Sequence, residues 1–159
     1  MKRKLIYLLA GLLSIATSAT FAQGTTSGSD YKNAVGLRID LGTGETGFGP
    51  TFRHKFTPNQ AIDAAVLFFE GDVVGLGAEY QYVAPVQNAA GLQWYAGIGP
   101  QFLFGNDDTA VGIRPVAGLE YKIPNVPLNF GFDWRPLFQL TPDTDVTAGR
   151  FGLSLRAAF

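Results

Sequence analysis

The sequence predicts an all-β chain in which eight antiparallel strands close into an up-and-down barrel. Three observations carry this expectation. From Ala34 onward, apolar residues recur with period two and turn residues interrupt the alternation at regular intervals. The stretch Gly149-Arg150-Phe151-Gly152-Leu153-Ser154-Leu155-Arg156-Ala157-Ala158-Phe159 keeps that alternation to its last residue. Phe151, Leu153, Leu155, Ala157 and Phe159 share one face, and Arg150, Gly152, Ser154, Arg156 and Ala158 the other. So apolar a strand is a liability as an open edge in water and makes sense when it closes a barrel. Finally, the charged residues of the strands all fall on one side of the alternation.

Lys2, Arg3 and Lys4 precede an apolar run from Leu5 to Ala16, and Thr17 to Ala22 is small and polar. This is the pattern of a secretory signal peptide over residues 1–22, cleaved near Ala22–Gln23. The apolar run is about a dozen residues, short of the roughly 20 that a membrane-spanning helix needs. Residues 23–33 are expected to form a flexible lead-in, Gly/Ser/Thr-rich from Gly24 to Asp30. With no Cys in the chain, lipid anchoring through a cysteine, disulfides and thiolate chemistry are excluded.

Residues 34–159 form one domain. Its first strand spans 34–42, and the second, 46–56, follows Gly42-Thr43-Gly44-Glu45. The third, 61–70, follows Thr57-Pro58-Asn59-Gln60; the fourth, 73–84, follows Gly71-Asp72. The fifth, 91–104, follows Pro85 to Ala90; the sixth, 110–122, follows Gly105-Asn106-Asp107-Asp108. The seventh, 127–139, follows Pro124-Asn125, and the eighth, 145–159, follows Thr141-Pro142-Asp143. An even number of strands closes with both ends of the sheet together and leaves no free edge. Pro50, Pro100, Pro115 and Pro136 lie inside strands, where each removes a ladder donor. Bulges or breaks are expected there, and a bulge would reverse the facing of the residues beyond it.

A soluble barrel shows the same alternation turned inside out. Three features point to a transmembrane β-barrel with its apolar face outward. Glycines crowd the polar parity (Gly36, Gly47, Gly49, Gly75, Gly77, Gly97, Gly99, Gly112, Gly118, Gly131, Gly152), where they leave room for neighbouring Arg or Gln inside a narrow barrel. Apolar rows such as Val35, Leu37, Ile39, Leu41 and Leu128, Phe130, Phe132, Trp134 suit spans of roughly 9–11 residues. With the amino terminus on the periplasmic side, Phe56, Tyr82, Trp94, Tyr121 and Phe159 form one aromatic belt. Phe48, Phe68, Phe104, Trp134 and Phe151 form the other.

The charges sort accordingly. Arg38, Arg53, Lys55, Arg114, Lys122, Arg135, Arg150 and Arg156 face inward with Asp40, Asp63, Glu79, Glu120 and Asp133. Glu45, Glu70, Asp72, Asp107, Asp108, Asp143 and Asp145 belong to the outer loops, which carry no Lys or Arg. No ionised side chain is left for the lipid face, where one costs about 2–4 kcal/mol at mid-depth. The inward charges are expected to form a paired structural network, extended by Gln81, Gln93, Gln101 and Asn129, because unpaired buried charge is expensive. So narrow a barrel is filled by side chains, which argues against a general diffusion pore. The acidic rim reads as solvated loops; Asp107-Asp108 and Asp143-x-Asp145 are weak signals for bridging divalent cations, since neither gives a full ligand series.

Signals of catalysis are lacking. His54 is the single histidine and faces outward near the periplasmic end, without a Ser or carboxylate on its face. No His/Cys/acid grouping suggests a metal, no glycine run opens a helix to cradle phosphate, and no cofactor is expected. Export and an acidic rim both oppose nucleic-acid binding.

The export signal, the eight amphipathic strands and terminal Phe159 together resemble the small eight-stranded outer-membrane β-barrel families of Gram-negative bacteria. The Gly-rich, Tyr/Phe-rich strands and the Phe21-Ala22-Gln23 junction look most like the Bacteroidota members. The resemblance implies residence in the outer membrane as a monomer, with outer-membrane lipids as partners. It also implies that Phe151, Leu153, Leu155, Ala157 and Phe159 form the signal read by the barrel-assembly machinery during biogenesis. The expected function is a non-enzymatic envelope structural or maintenance role; the alternative is a narrow channel or hydrophobic-solute conduit.

Overall fold

A computed structural model describes residues 31–105 and 108–159. The expected signal peptide and the lead-in up to Asp30 lie outside the described residues, as do Asn106 and Asp107. The strands are β1 (Asn33–Leu41), β2 (Thr46–Thr57), β3 (Gln60–Phe69), β4 (Val74–Pro85), β5 (Leu92–Phe104), β6 (Thr109–Lys122), β7 (Leu128–Trp134), β8 (Leu137–Thr141), β9 (Asp145–Thr147) and β10 (Phe151–Ala158). β1 to β6 pair in sequence as antiparallel neighbours. β7 joins β6 to β10, and β10 pairs with β1 from Leu41↔Phe151 to Ala34↔Ala158, closing the ring. β8 extends the line of β7 against β6, and β9 pairs with β8. The result is a closed antiparallel barrel of eight staves, with the seventh (β7, β8) and eighth (β9, β10) each interrupted once.

At the four strand prolines the structure shows local breaks rather than bulges. No bulge occurs at Pro50 or Pro100. Phe48↔Phe68 and Thr51↔Ala65 flank Pro50 in one register, and Gly77↔Gln101 and Tyr80↔Ile98 do the same around Pro100. Rungs are missing there, but the facing of the side chains is unchanged. Between β6 and the seventh stave, pairing lapses from Ala117↔Trp134 to Ile113↔Phe138. That register sets Pro115 opposite Pro136, and neither has an N–H to donate. The seventh stave, expected over 127–139 with a bulge or break at Pro136, therefore splits at Arg135-Pro136. Register shifts occur instead between Lys55 and Thr57 and between Val111 and Gly112, close to strand ends.

The turns follow local chemistry. Gly71 and Asp72 both have positive φ (75° and 60°) within a three-residue loop, Glu70-Gly71-Asp72, that joins Phe69 to Val73. Phe69 N donates to Val73 O across that turn at 2.9 Å. At the other end of the barrel, Asn33 N donates to Phe159 O and Phe159 N to Asn33 O, both at 2.8 Å.

Burial is inverted relative to a water-soluble domain. On β10, Leu155 is 47% exposed while its neighbour Arg156 is fully buried. The interior also holds a small apolar layer of Ala61, Val83, Tyr95 and Val116. Interior glycines make room for polar side chains, as expected. A Cβ on Gly152 would lie 2.5 Å from Asp133 Oδ1, and one on Gly42 2.6 Å from Arg150 Nη1.

Candidate functional site

The candidate site is the ion-paired barrel interior. Strand alternation sends every second side chain inward, and staves set side by side bring these together. Asp63 on β3 is the hub. Its Oδ2 accepts from Arg156 Nη2 at 2.7 Å, Arg53 Nε at 3.0 Å and Arg38 Nη2 at 3.1 Å. Its Oδ1 accepts from Thr51 Oγ1 at 2.9 Å.

Toward the end that holds β1's start, Glu120 pairs with Arg53 Nη1, and Lys55 Nζ lies 3.6 Å from Glu120 while donating to Gln93 Oε1 at 2.7 Å. Arg53 also donates to Gln81 Oε1. The Tyr31 hydroxyl donates to the Glu120 carboxylate, 2.7 and 2.9 Å from its two oxygens. The Tyr31 ring lies 4.2 Å from Lys55 Nζ, and the Arg53 guanidinium sits 4.5 Å over the Tyr95 ring. Burial pushes the Tyr31 phenol pKa well above its ordinary value, so the hydroxyl stays a donor.

Toward the loop end, Arg135 pairs with Glu79 and stands 3.4 Å from Asp133, whose Oδ2 accepts from Tyr95 at 2.6 Å. Asp40 is shared: Arg114 Nη1 binds one carboxylate oxygen and Arg150 Nε the other, at 3.1 Å.

Of the residues expected inward, Arg38, Asp40, Arg53, Lys55, Asp63, Glu79, Arg114, Glu120, Asp133, Arg135, Arg150 and Arg156 are buried together. Lys122 is a correction. It ends β6, and its Nζ reaches out of the barrel to Val126 O at 2.6 Å and Ile123 O at 3.0 Å. A long ammonium at a barrel rim gains more from turn carbonyls than from a crowded interior. Gln81, Gln93, Gln101 and Asn129 are buried as well. Tyr31, Thr51 and Tyr95 were not foreseen. Tyr95 and Thr51 sit on the inward parity of their strands, a signal that was available. Tyr31 stands in the stretch assigned to the flexible lead-in, yet is 7% exposed; together with Asn33 at the start of β1, it makes 31–33 part of the barrel.

The outer wall is apolar. Among the described residues, the exposed acids are Glu45, Glu70, Asp72, Asp108, Asp143 and Asp145, all at the loop end, and the exposed Lys is Lys32 at the opposite end. Phe56, Tyr82, Trp94, Tyr121 and Phe159 are exposed near one rim, with Phe48, Phe68, Phe104, Trp134 and Phe151 toward the other. Phe151, Leu153, Leu155 and Phe159 point outward; Ala157 is half-buried on the same parity. The His54 Nδ1–H donates to Asn33 Oδ1 at 2.8 Å, and its ring meets Phe56 edge-on at 5.0 Å. Among the described residues no group of three or more His, Cys, Asp or Glu side chains could hold a metal ion.

No family model and no curated protein matches the chain. Among solved structures, the chain is similar to the crystal structure of Neisserial surface protein A (NspA), with a TM-score of 0.46 and 16% sequence identity. The match covers 80% of this chain and 94% of that one.

Proposed function

We propose that the chain is a small outer-membrane β-barrel of a Gram-negative bacterium that serves the envelope structurally and performs no catalysis. One observation carries this reading: an apolar wall, free of charge between its rims among the described residues, surrounds an interior of interlocked ion pairs. In water such a wall is an aggregation surface, whereas in a bilayer it is solvated by acyl chains. Buried ions of this kind are tolerated only when paired and hydrogen-bonded, as the interlocked network provides. The Gly- and aromatic-rich strands support a place among Bacteroidota-type barrels, delivered by the signal peptide and assembled through the outward residues of β10. His54, tied to Asn33 on the lipid side, supports the non-enzymatic reading.

Fractionation of a Gram-negative host expressing the chain tests this. The expected product is an outer-membrane protein whose gel mobility shifts on heating, and whose deletion raises detergent sensitivity. A wholly soluble periplasmic product would refute it. The proline-opposed gap between β6 and the seventh stave favours a second reading, a narrow conduit for apolar solutes that opens sideways there. Stable conductance or solute flux in planar bilayers, abolished by Arg38→Met, would favour the conduit over the sealed barrel.

A further inference from the structure

Above the Asp40 layer, the loop end of the barrel opens into a cavity of about 560 Å³. Its lining changes with depth. Arg114 and Arg150 form the buried end, at 1% and 4% exposure. Phe69, Val73, Leu103 and Leu137 supply apolar wall, and the exposed acids Glu45, Asp108 and Asp145 stand at the mouth.

The two arginines are incompletely satisfied. They share the carboxylate of Asp40, and Arg150 Nη1 also stands 3.9 Å from the exposed Glu45 carboxylate at the mouth, so the buried layer itself holds two cations against one acid. Arg114 Nε and Nη2 and Arg150 Nη2 are buried without a hydrogen-bond partner among the described residues. Buried donors of this kind carry a desolvation penalty that an acceptor would relieve. The barrel-wide tally agrees: seven buried cations (Arg38, Arg53, Lys55, Arg114, Arg135, Arg150, Arg156) face five buried acids (Asp40, Asp63, Glu79, Glu120, Asp133). Beneath the cavity the way is blocked by Arg38, Arg53, Asp63 and Arg156, each no more than 1% exposed. The space is thus a cup with one entrance, of a size ordinary for small-molecule sites.

We propose that this cup binds a small monoanionic carboxylate with an apolar body. The carboxylate takes the free donors of Arg114 and Arg150, since guanidinium forks match carboxylates well. The hydrocarbon lies against Phe69, Val73, Leu103 and Leu137. The acidic mouth disfavours multiply charged anions, which it repels more strongly than a monoanion. This inference goes beyond the envelope role and does not depend on it.

The test is binding of hexanoate to the folded full barrel in nanodiscs, measured calorimetrically against empty nanodiscs. Hexylamine and inorganic phosphate serve as the charge-reversed and apolar-free controls. Saturable hexanoate binding, with both controls much weaker, is the expected result. Arg150→Met should weaken binding about ten- to a hundred-fold, the worth of one charge-assisted hydrogen bond. Because Arg150 also holds Asp40, Ala110→Trp is the second variant: it fills the cup from the β6 wall without replacing a charged residue. It should abolish binding while the heat-modifiable mobility of the barrel is retained. No saturable hexanoate binding above empty nanodiscs would overturn the proposal. So would phosphate binding as tight as hexanoate, or full binding by a folded Ala110→Trp barrel.

Discussion

Replacing Asp63 with Asn tests the interior network at its hub. Asn keeps the shape and one acceptor but removes the charge and turns an NH₂ toward donors. Three guanidinium nitrogens converge on Asp63 Oδ2, from Arg156 at 2.7 Å, Arg53 at 3.0 Å and Arg38 at 3.1 Å. The three guanidinium donors stay ionised, so the loss comes chiefly from removing the negative charge that compensates them rather than from the hydrogen bonds themselves. Arg38 and Arg156 have no other acidic partner within salt-bridge distance among the described residues, so their buried charge goes uncompensated. Breaking a buried pair from one side costs about 3–5 kcal/mol, which we take as the expected loss. With a urea slope of about 1–3 kcal/mol/M, the unfolding midpoint of the barrel in lipid vesicles should fall by about 2 M. Trp94 and Trp134, both exposed on the outer wall, report their transfer from lipid to water by fluorescence. Adding Arg38→Met should recover part of the loss, because it removes one orphaned charge. A loss below about 1 kcal/mol would refute the claim that Asp63 holds the staves together.

Tyr31→Phe keeps the ring near Lys55 but removes the donor to Glu120, and should destabilise the barrel by about 1–3 kcal/mol in the same assay. Gly99→Ala would place a Cβ 1.8 Å from Ala78 O, a backbone atom that cannot give way, so the refolded yield of heat-modifiable barrel should collapse. Leu155→Arg, between Leu37 and Phe130 on the outer wall, should cost about 2–4 kcal/mol in vesicle-folding titrations, while Phe56→Arg at the rim should cost about 0–1.

The barrel was legible because strand alternation and turn chemistry are local. Gly71-Asp72 announces its hairpin in two residues, and Arg150, Arg156 and Asp63 announce their inward side by parity alone. What parity cannot give is partner choice. That Arg38, Arg53 and Arg156 converge on Asp63, or that Arg114 reaches Asp40, depends on stagger between staves distant in sequence. That Pro115 falls opposite Pro136 is likewise a product of register; the missing donor predicts a break at each, but not that the two coincide. Lys122 followed the inward parity but sits at the barrel's end, where reach outweighs parity. Tyr31 gave no periodic signal, since it docks from outside any strand.

The central claim is that the wall of this barrel faces lipid and its interior is sealed. The absence of native Cys allows single cysteines to be placed at Leu153, Ser154 and Leu155 and labelled with a fluorophore before folding into vesicles of brominated lipid. Leu153 and Leu155 are exposed and Ser154 is buried between them. The account predicts strong quenching by the brominated chains at 153 and 155, and either blocked folding or weak quenching at 154. Rapid reaction of Leu155→Cys in the folded, vesicle-bound protein with a water-soluble maleimide, together with lipid quenching at 154, would contradict it.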